Sequence, residues 1–260
     1  MLPIVSVFGH AIPMYGLLIV TGAALGVLLA VYAPRNRAIP RQDIFFSACY
    51  VGIGVFFGAK VLYLLITLPQ LLSHPNAPKF SLALLATLFS GGFVFYGGVL
   101  GGLLFLYLYT HKYKLPYLKT AETLIPSVPL IHAIGRIGCF FAGCCYGIPA
   151  SPPWGVTFRI GSAAPAGVSL LPVQLYETGL NLLLFGILML YGKRRPSQGK
   201  LLGAYLIGYA CIRFVLEFVR YDAVRGMLFG LSTSQWISLL LLPAGIFLLL
   251  RKQRALQQVQ

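Results

Sequence analysis

The sequence predicts an all-α integral membrane protein with seven transmembrane helices that form a single membrane domain over residues 1–260. Three observations support this fold class. The chain is 58% hydrophobic and only 10% charged, which is too apolar for a soluble domain of this length. Apolar runs of spanning length recur along the chain, and its basic residues gather in alternate connections.

The apolar runs are each long enough to cross a bilayer as a helix. They fall at about 12–33, 44–67, 88–110, 122–143, 172–192, 200–219 and 233–250. Pro-rich connections at 34–40 and 149–153 interrupt the pattern where loops are needed.

The formal net charge of +15 is explained by membrane orientation rather than by nucleic acid, because the basic residues lie in loops beside apolar spans. The predicted cytoplasmic side carries Arg35, Arg37, Arg41, Lys112, Lys114, Lys119, Lys193, Arg194, Arg195, Lys200, Arg251, Lys252 and Arg254. The opposite side carries only Lys79, Arg159 and Arg225. The positive-inside rule therefore places the N-terminus outside and the C-terminus in the cytoplasm.

The stretch 132–147 is the strongest candidate for a functional site. It places His132 and Arg136 one turn apart near the outer end of the fourth predicted span. Inserting an arginine at the membrane centre costs about 2.5–3.5 kcal/mol, so such a residue indicates function. Taken alone, a histidine in a helix is more often a hydrogen-bonded structural residue than a base, so His132 has a structural alternative.

Cys139, Cys144 and Cys145 follow directly and leave several interpretations open. The interpretations are inert thiols, a disulfide between Cys139 and one of the other two cysteines, and a reactive centre in which Arg136 stabilises a thiolate. A metal site is disfavoured, because the spacing is not a familiar zinc pattern and His132 is the nearest imidazole. We expect no cofactor and no metal.

Four polar residues of the sixth span share one helical face: Tyr209, Arg213, Glu217 and Arg220. One interpretation is a structural ion pair between Arg213 and Glu217. The other is a phosphate site. The spans together hold Lys60, Arg136, Arg213 and Arg220 against Glu122, Glu177 and Glu217. One surplus positive charge suits a singly charged phosphodiester headgroup, which arginine binds through two parallel hydrogen bonds.

Paired glycines open the third predicted span at Gly91-Gly92 and Gly97-Gly98. Small residues at this spacing are typical of close helix packing. The alternative is irregular backbone that lines a cavity.

These motifs resemble those of the prolipoprotein diacylglyceryl transferase family over most of the chain. The resemblance rests on Tyr15-Gly16, Gly91-Gly92, Gly97-Gly98, Gly135-Arg136-Ile137-Gly138, Phe140, Gly147, Gln174-Leu175-Tyr176-Glu177, Gly208-Tyr209, Arg213, Glu217-Phe218, Arg220 and Ser234-Gln235. It implies the family fold in a bacterial inner membrane. It also implies transfer of a diacylglyceryl group from phosphatidylglycerol to the lipobox cysteine of a preprotein, at the periplasmic or outer leaflet, by a monomer.

By the same resemblance, Arg136 and Arg213 hold the phosphate and Tyr209 assists them, while a second set of residues shapes the substrate site. This second set is Tyr15, Gly97, Gly98, His132, Gly138, Glu177, Glu217 and Arg220.

The chain departs from the family pattern around the acceptor. Tyr96 stands where the family has a histidine between its glycine pairs. Cys139 and Ala142 replace two signature asparagines, and Cys144 replaces a signature glutamate. The candidate catalytic residues at these positions are therefore Tyr96, Cys139 and Cys144. We expect the protein either to use a different acceptor or to include a thiol-based step. A membrane thiol-redox enzyme and a non-catalytic phospholipid-binding protein are the alternative functions.

Overall fold

The computed structural model describes residues 4–7, 10–32, 39–72, 88, 91–221 and 227–251, without the side chains of residues up to 11 and of 70–72. The described residues form eight helices: α1 Met14–Tyr32, α2 Arg41–Leu72, α3 Phe95–Lys112, α4 Tyr117–Leu124, α5 Ser127–Ala142, α6 Val173–Lys193, α7 Lys200–Glu217 and α8 Thr233–Leu250. There are also three antiparallel hairpins among the described residues. The hairpin of β1 Ile4–Val7 and β2 His10–Pro13 precedes α1, that of β3 Val156–Thr157 and β4 Ser169–Leu170 lies between α5 and α6, and that of β5 Met227–Leu228 and β6 Leu231–Ser232 lies between α7 and α8.

Five helices in the described part of the chain are long and apolar enough to cross a membrane. They are Met14–Tyr32, Arg41–Pro69, Tyr117–Ala142 (α4 and α5 counted as one span), Val173–Lys193 and Thr233–Leu250. The protein is therefore an all-α membrane protein in its principal architecture, and these five helices match five of the predicted spans within a few residues.

The third and sixth predicted spans also form helices, and both of these helices contain charged or strongly polar residues. Helix α3 ends in His111 and Lys112, and helix α7 contains Lys200, Arg213 and Glu217. Helix α3 also begins at Phe95 rather than near residue 88, because Gly91 to Val94 have no helical conformation. The Val94 amide instead donates to the Ala59 carbonyl of α2 at 3.1 Å.

The chain divides into two compact units, residues 1–37 with 122–260, and residues 38–121. The prediction of a single domain stays a prediction. In the first unit α1 packs on α5, α5 on α6, α6 on α7, and α7 on α8. Glycine permits the close approach of α7 and α8: a Cβ on Gly203 of α7 would lie 2.7 Å from the Gly245 carbonyl oxygen of α8.

The second unit is built on the pair α2 and α3. A Cβ added to Gly97 or Gly101 would collide with the α2 backbone at Gly58 and Gly54. A Cβ on Gly98 would meet the Val55 side chain at 3.2 Å. These glycines let two helices approach through small residues, as close packing predicts.

Large apolar side chains cover the outside of both units. Leu240 and Phe247 of α8 are 71% and 65% exposed, and Leu100 of α3 is 66% exposed. Because such surfaces are unfavourable in water, they are the surfaces that lipid covers.

Candidate functional site

Glu177 is the centre of the candidate site. It is 1% exposed, and its carboxylate faces three basic side chains. The Arg136 guanidinium donates from Nη2 to Oε1 at 2.9 Å and lies 2.7 Å from Oε2. His132 Nε2 lies 3.2 Å from Oε1, and Arg220 Nη1 lies 3.8 Å from Oε2.

Helix geometry and a loop contact place these groups. His132 and Arg136 are four residues apart on α5, so both side chains project from the face that packs on α6. Arg220 follows α7 and forms an isolated antiparallel bridge with Gly147. That bridge turns the end of α7 back toward Glu177.

A second ion pair lies on α7. Arg213 Nη2 is 2.6 Å from Glu217 Oε2 and donates to Ser234 Oγ at 2.9 Å. Ser234 is held in place because α8 begins with a capping box, in which Ser232 and Gln235 each accept from the other's backbone amide at 3.2 and 2.9 Å.

We call Arg136, Arg213 and Arg220 with Glu177 and Glu217 the guanidinium cluster. Three guanidiniums against two carboxylates leave one positive charge when His132 is counted as neutral. Among the described residues, the buried donors Arg136 Nε and Arg213 Nη1 have no hydrogen-bond acceptor. Buried donors without acceptors are costly, so the cluster is suited to an anion that accepts from them.

Two of the charged residues predicted to lie within the spans, Lys60 and Glu122, are not part of this cluster. Lys60 belongs to the other unit, where its Nζ donates to the Gly91 carbonyl at 2.9 Å and lies 5.0 and 4.8 Å from the rings of Tyr63 and Phe93. Glu122 accepts from the Gly199, Leu201 and Leu202 amides at 2.8, 3.0 and 3.4 Å. It therefore caps the first turn of α7.

Tyrosines border the cluster. The Tyr209 ring lies 5.9 Å from the His132 ring and stacks on Tyr205. Tyr15 of α1 contacts Gly138 of α5, where an added Cβ would lie 3.2 Å from the Tyr15 ring. Gly138 therefore admits α1, and any larger residue would displace Tyr15.

The three cysteines form a second group, the thiol cluster. The Sγ atoms of Cys139, Cys144 and Cys145 lie within 4.8 Å of one another, and all three residues are free cysteines. Arg136 Nη1 lies 3.9 Å from Cys139 Sγ, which joins this group to the guanidinium cluster.

The two cysteines beyond the end of α5 differ in acidity. Hydrogen bonds with the Cys139 and Cys144 thiols, followed by the charges of Arg136 and Arg220, lower the pKa of the Cys145 thiol. Hydrogen bonds with Cys139 and Cys145 raise the pKa of the Cys144 thiol. The same contacts therefore make Cys145 the more acidic of these two thiols.

The remaining predicted residues, Tyr96, Gly97 and Gly98, belong to the unit of residues 38–121. Tyr96 is 37% exposed in the first turn of α3, edge-on to Phe95 at 5.7 Å. The structure adds Ser234 and Cys145 to the predicted site. The signal for Ser234 was its place in the Ser-Gln pair, and for Cys145 its adjacency to Cys144.

Five apolar helices and a buried guanidinium cluster define an integral membrane protein with a charged site among its helices. The chain belongs to the prolipoprotein diacylglyceryl transferase family, whose profile matches residues 3–251.

Curated relatives support the same family. The chain is 37% identical to the phosphatidylglycerol–prolipoprotein diacylglyceryl transferase of Clostridium tetani, over 93% of this chain and 94% of the relative. It is 35% identical to the second such enzyme of Clostridium perfringens, over 94% and 92%. It is 34% identical to that of Nitrosomonas europaea, over 94% and 87%.

Proposed function

We propose that the protein transfers the diacylglyceryl group of phosphatidylglycerol to a cysteine thiol of a prolipoprotein. The relatives' names state this donor and acceptor. The observation that carries the proposal is the guanidinium cluster, which offers arginine donors and one net positive charge inside an apolar helical frame. In the reaction the acceptor sulfur attacks the glyceryl carbon, the carbon–oxygen bond to phosphate breaks, and glycerol phosphate leaves.

Charge development explains why arginines serve this reaction. The donor is a phosphodiester with one negative charge, and the departing phosphomonoester approaches two near neutral pH. The free donors Arg136 Nε and Arg213 Nη1 can hydrogen-bond the leaving phosphate as its charge grows. Glu177 and Glu217 hold both guanidiniums in place, so little reorganisation accompanies bond breaking.

Residues around the cluster have supporting roles in this proposal. Tyr15, Gly138, His132 and Tyr209 border the lipid headgroup, and Arg220 adds a third guanidinium. By resemblance to the family, we also assign lipid-binding roles to Gly97 and Gly98 and a catalytic role to Tyr96; these assignments rest on the sequence motif alone.

The membrane arrangement is also part of the proposal. Helices α3 and α7 have 18 residues each, a rise of about 27 Å, close to a hydrocarbon core of about 30 Å. With the five apolar helices they make seven spans of a family-type fold, in a monomeric single domain of the bacterial inner membrane. The distribution of lysine and arginine supports an outside N-terminus, and with that orientation we propose that the guanidinium cluster faces the outer leaflet.

The test uses purified protein in detergent with phosphatidylglycerol and a lipobox peptide, read by peptide mass spectrometry. We expect the peptide to gain the mass of one diacylglyceryl group. Arg136→Ala should lower the rate by about 10²–10³-fold, the loss typical of removing a transition-state donor. Arg159→Ala is the matched control, because Arg159 is exposed in the loop between α5 and α6.

Three outcomes separate the alternatives. Lipid binding without any turnover would favour a non-catalytic phospholipid-binding protein. A change in cysteine oxidation without peptide lipidation would favour a thiol-redox enzyme. Equal rates for wild type and Arg136→Ala would contradict the role of the guanidinium cluster.

A further inference from the structure

The thiol cluster is preformed by the end of α5. Gly143 has φ +69° and ends the helix in the left-handed conformation. The Gly143 amide donates to the Phe140 carbonyl at 3.2 Å, and the Cys144 amide to the Cys139 carbonyl at 3.1 Å. These two bonds form a Schellman motif, which reverses the chain and returns Cys144 and Cys145 to Cys139.

Contacts from outside hold this reversal in place. Fully buried Gln174 donates to the Cys144 carbonyl at 2.7 Å. The Gly147 amide donates to the Leu171 carbonyl at 2.9 Å, and the Ile148 amide to the Val219 carbonyl at 3.0 Å. Cys145 has φ +60°, a conformation that residues other than glycine rarely adopt. The loop therefore presents three thiols in a fixed arrangement.

This arrangement is close to that of a three-thiolate zinc site. Zinc binds thiolates at about 2.3 Å, which separates sulfurs in a tetrahedral site by about 3.8 Å. The three Sγ atoms already lie within 4.8 Å of one another. The familiar paired spacings belong to closed four-ligand sites, whereas a site with three protein ligands keeps its fourth position open for a substrate.

Charge also favours the metal complex. Three thiolates and one Zn²⁺ carry one net negative charge. Arg136 Nη1 is 3.9 Å from Cys139 Sγ and supplies a positive charge at that distance. A guanidinium is always protonated, so this compensation does not depend on pH.

We propose that Cys139, Cys144 and Cys145 bind a zinc ion whose open position takes the thiol of the acceptor cysteine. This inference rests on the proposed function. Coordination deprotonates the acceptor thiol and releases its proton to solvent. The zinc-bound sulfur then attacks the glyceryl carbon, and the electron pair of the broken carbon–oxygen bond stays on the phosphate. The thioether product is a weaker ligand than a thiolate and dissociates.

A zinc ion at the thiol cluster would deprotonate the acceptor thiol, a step for which the guanidinium cluster has no free base. The reaction needs a deprotonated sulfur, and the imidazole of the site, His132, is engaged by Glu177 at 3.2 Å. A thiol-bound zinc ion meets that need without a separate base. The arginines that border it receive the leaving phosphate.

The first arm of the test measures metal alone. Full-length protein in detergent, reduced and stripped by a chelator, is titrated with Zn²⁺ and with Cd²⁺, whose thiolate complexes absorb in the ultraviolet. We expect about one tight equivalent per chain and a cadmium–thiolate band. Both should be lost when Cys139, Cys144 and Cys145 are changed to serine, and kept in Cys49→Ser and Cys211→Ser. Equal uptake by wild type and the triple variant would overturn the proposal.

The second arm measures transfer. Stripped protein should lose at least about 10²-fold in peptide lipidation, recover on addition of Zn²⁺, and bind phosphatidylglycerol throughout. Full activity of the stripped protein would refute zinc activation and leave the proposed function intact. Metal uptake without transfer in any form would support the zinc site and contradict the proposed function. Size-exclusion profiles show that each variant is folded.

Discussion

Glu177 and Glu122 are glutamates of the same compact unit, and the chain uses them in opposite ways. Glu177 is 1% exposed and faces Arg136, His132 and Arg220 within 3.8 Å. Glu122 faces no basic side chain in these contacts and accepts from three backbone amides at 2.8 to 3.4 Å. The Glu177 carboxylate organises side chains, whereas the Glu122 carboxylate caps the start of a helix.

This difference shows what a carboxylate contributes in each setting. Glu122 offsets the partial positive charge at the start of α7, a local stabilisation that any good acceptor provides. Glu177 compensates guanidiniums that could not otherwise remain inside the helical bundle. Function should therefore be sensitive to Glu177 and nearly indifferent to Glu122.

The largest effect is expected from Glu177→Gln. The amide keeps the size of the side chain but removes the charge that faces Arg136, His132 and Arg220. Breaking a buried ion pair typically costs about 3–5 kcal/mol, so the free energy of unfolding should fall by that order. Peptide lipidation should fall by at least about 10²-fold, because Arg136 loses its support. Thermal unfolding in detergent measures the stability, and the mass-spectrometric transfer assay measures the rate of peptide lipidation. If the variant has wild-type stability and a wild-type rate, Glu177 does not organise the site.

Arg136→Lys and Arg213→Lys should have intermediate effects. Lysine keeps the charge but presents a point ammonium instead of a planar fork, so one phosphate bond or one carboxylate bond is lost. We expect about 10- to 100-fold lower kcat for each variant, with little change in unfolding temperature. Arg159→Lys is the control for an exposed arginine. If both lysine variants retain full activity, the prediction that Arg136 and Arg213 bind phosphate through two parallel hydrogen bonds is wrong.

Much of this frame could be predicted from the sequence, because it depends on local periodicity. The apolar runs predicted α1, α6 and α8 to within two residues at each end, and α2 to within five. The Arg213–Glu217 pair followed from its i, i+4 spacing. Helix α3 began later than predicted, because paired glycines beside an apolar run weaken the helix more than hydropathy alone indicates.

The pairing between helices could not be predicted in the same way. Glu122 and Glu177 look equivalent in a count of membrane charges. Their different roles depend on the distances between α5, α6 and α7, which tertiary packing sets and sequence spacing does not reveal. The approach of Cys144 to Cys139 likewise depends on the positive φ of Gly143. A glycine directly after an apolar helix is a C-cap signal, and it could have predicted that reversal.

Glu122→Ala should have the smallest effect on activity and so tests the other half of the comparison. The variant removes an acceptor from the Gly199, Leu201 and Leu202 amides, and loss of a helix cap costs about 0.5–2 kcal/mol. The unfolding temperature should therefore fall, while kcat per folded molecule stays at the wild-type value, because no contact of Glu122 reaches the guanidinium cluster. Glu122→Gln should recover part of the stability, since its amide oxygen still accepts. A fall in kcat that the loss of stability does not explain, and that Glu122→Gln does not restore, would mean that the start of α7 is coupled to Arg213. The two glutamates would then belong to one system.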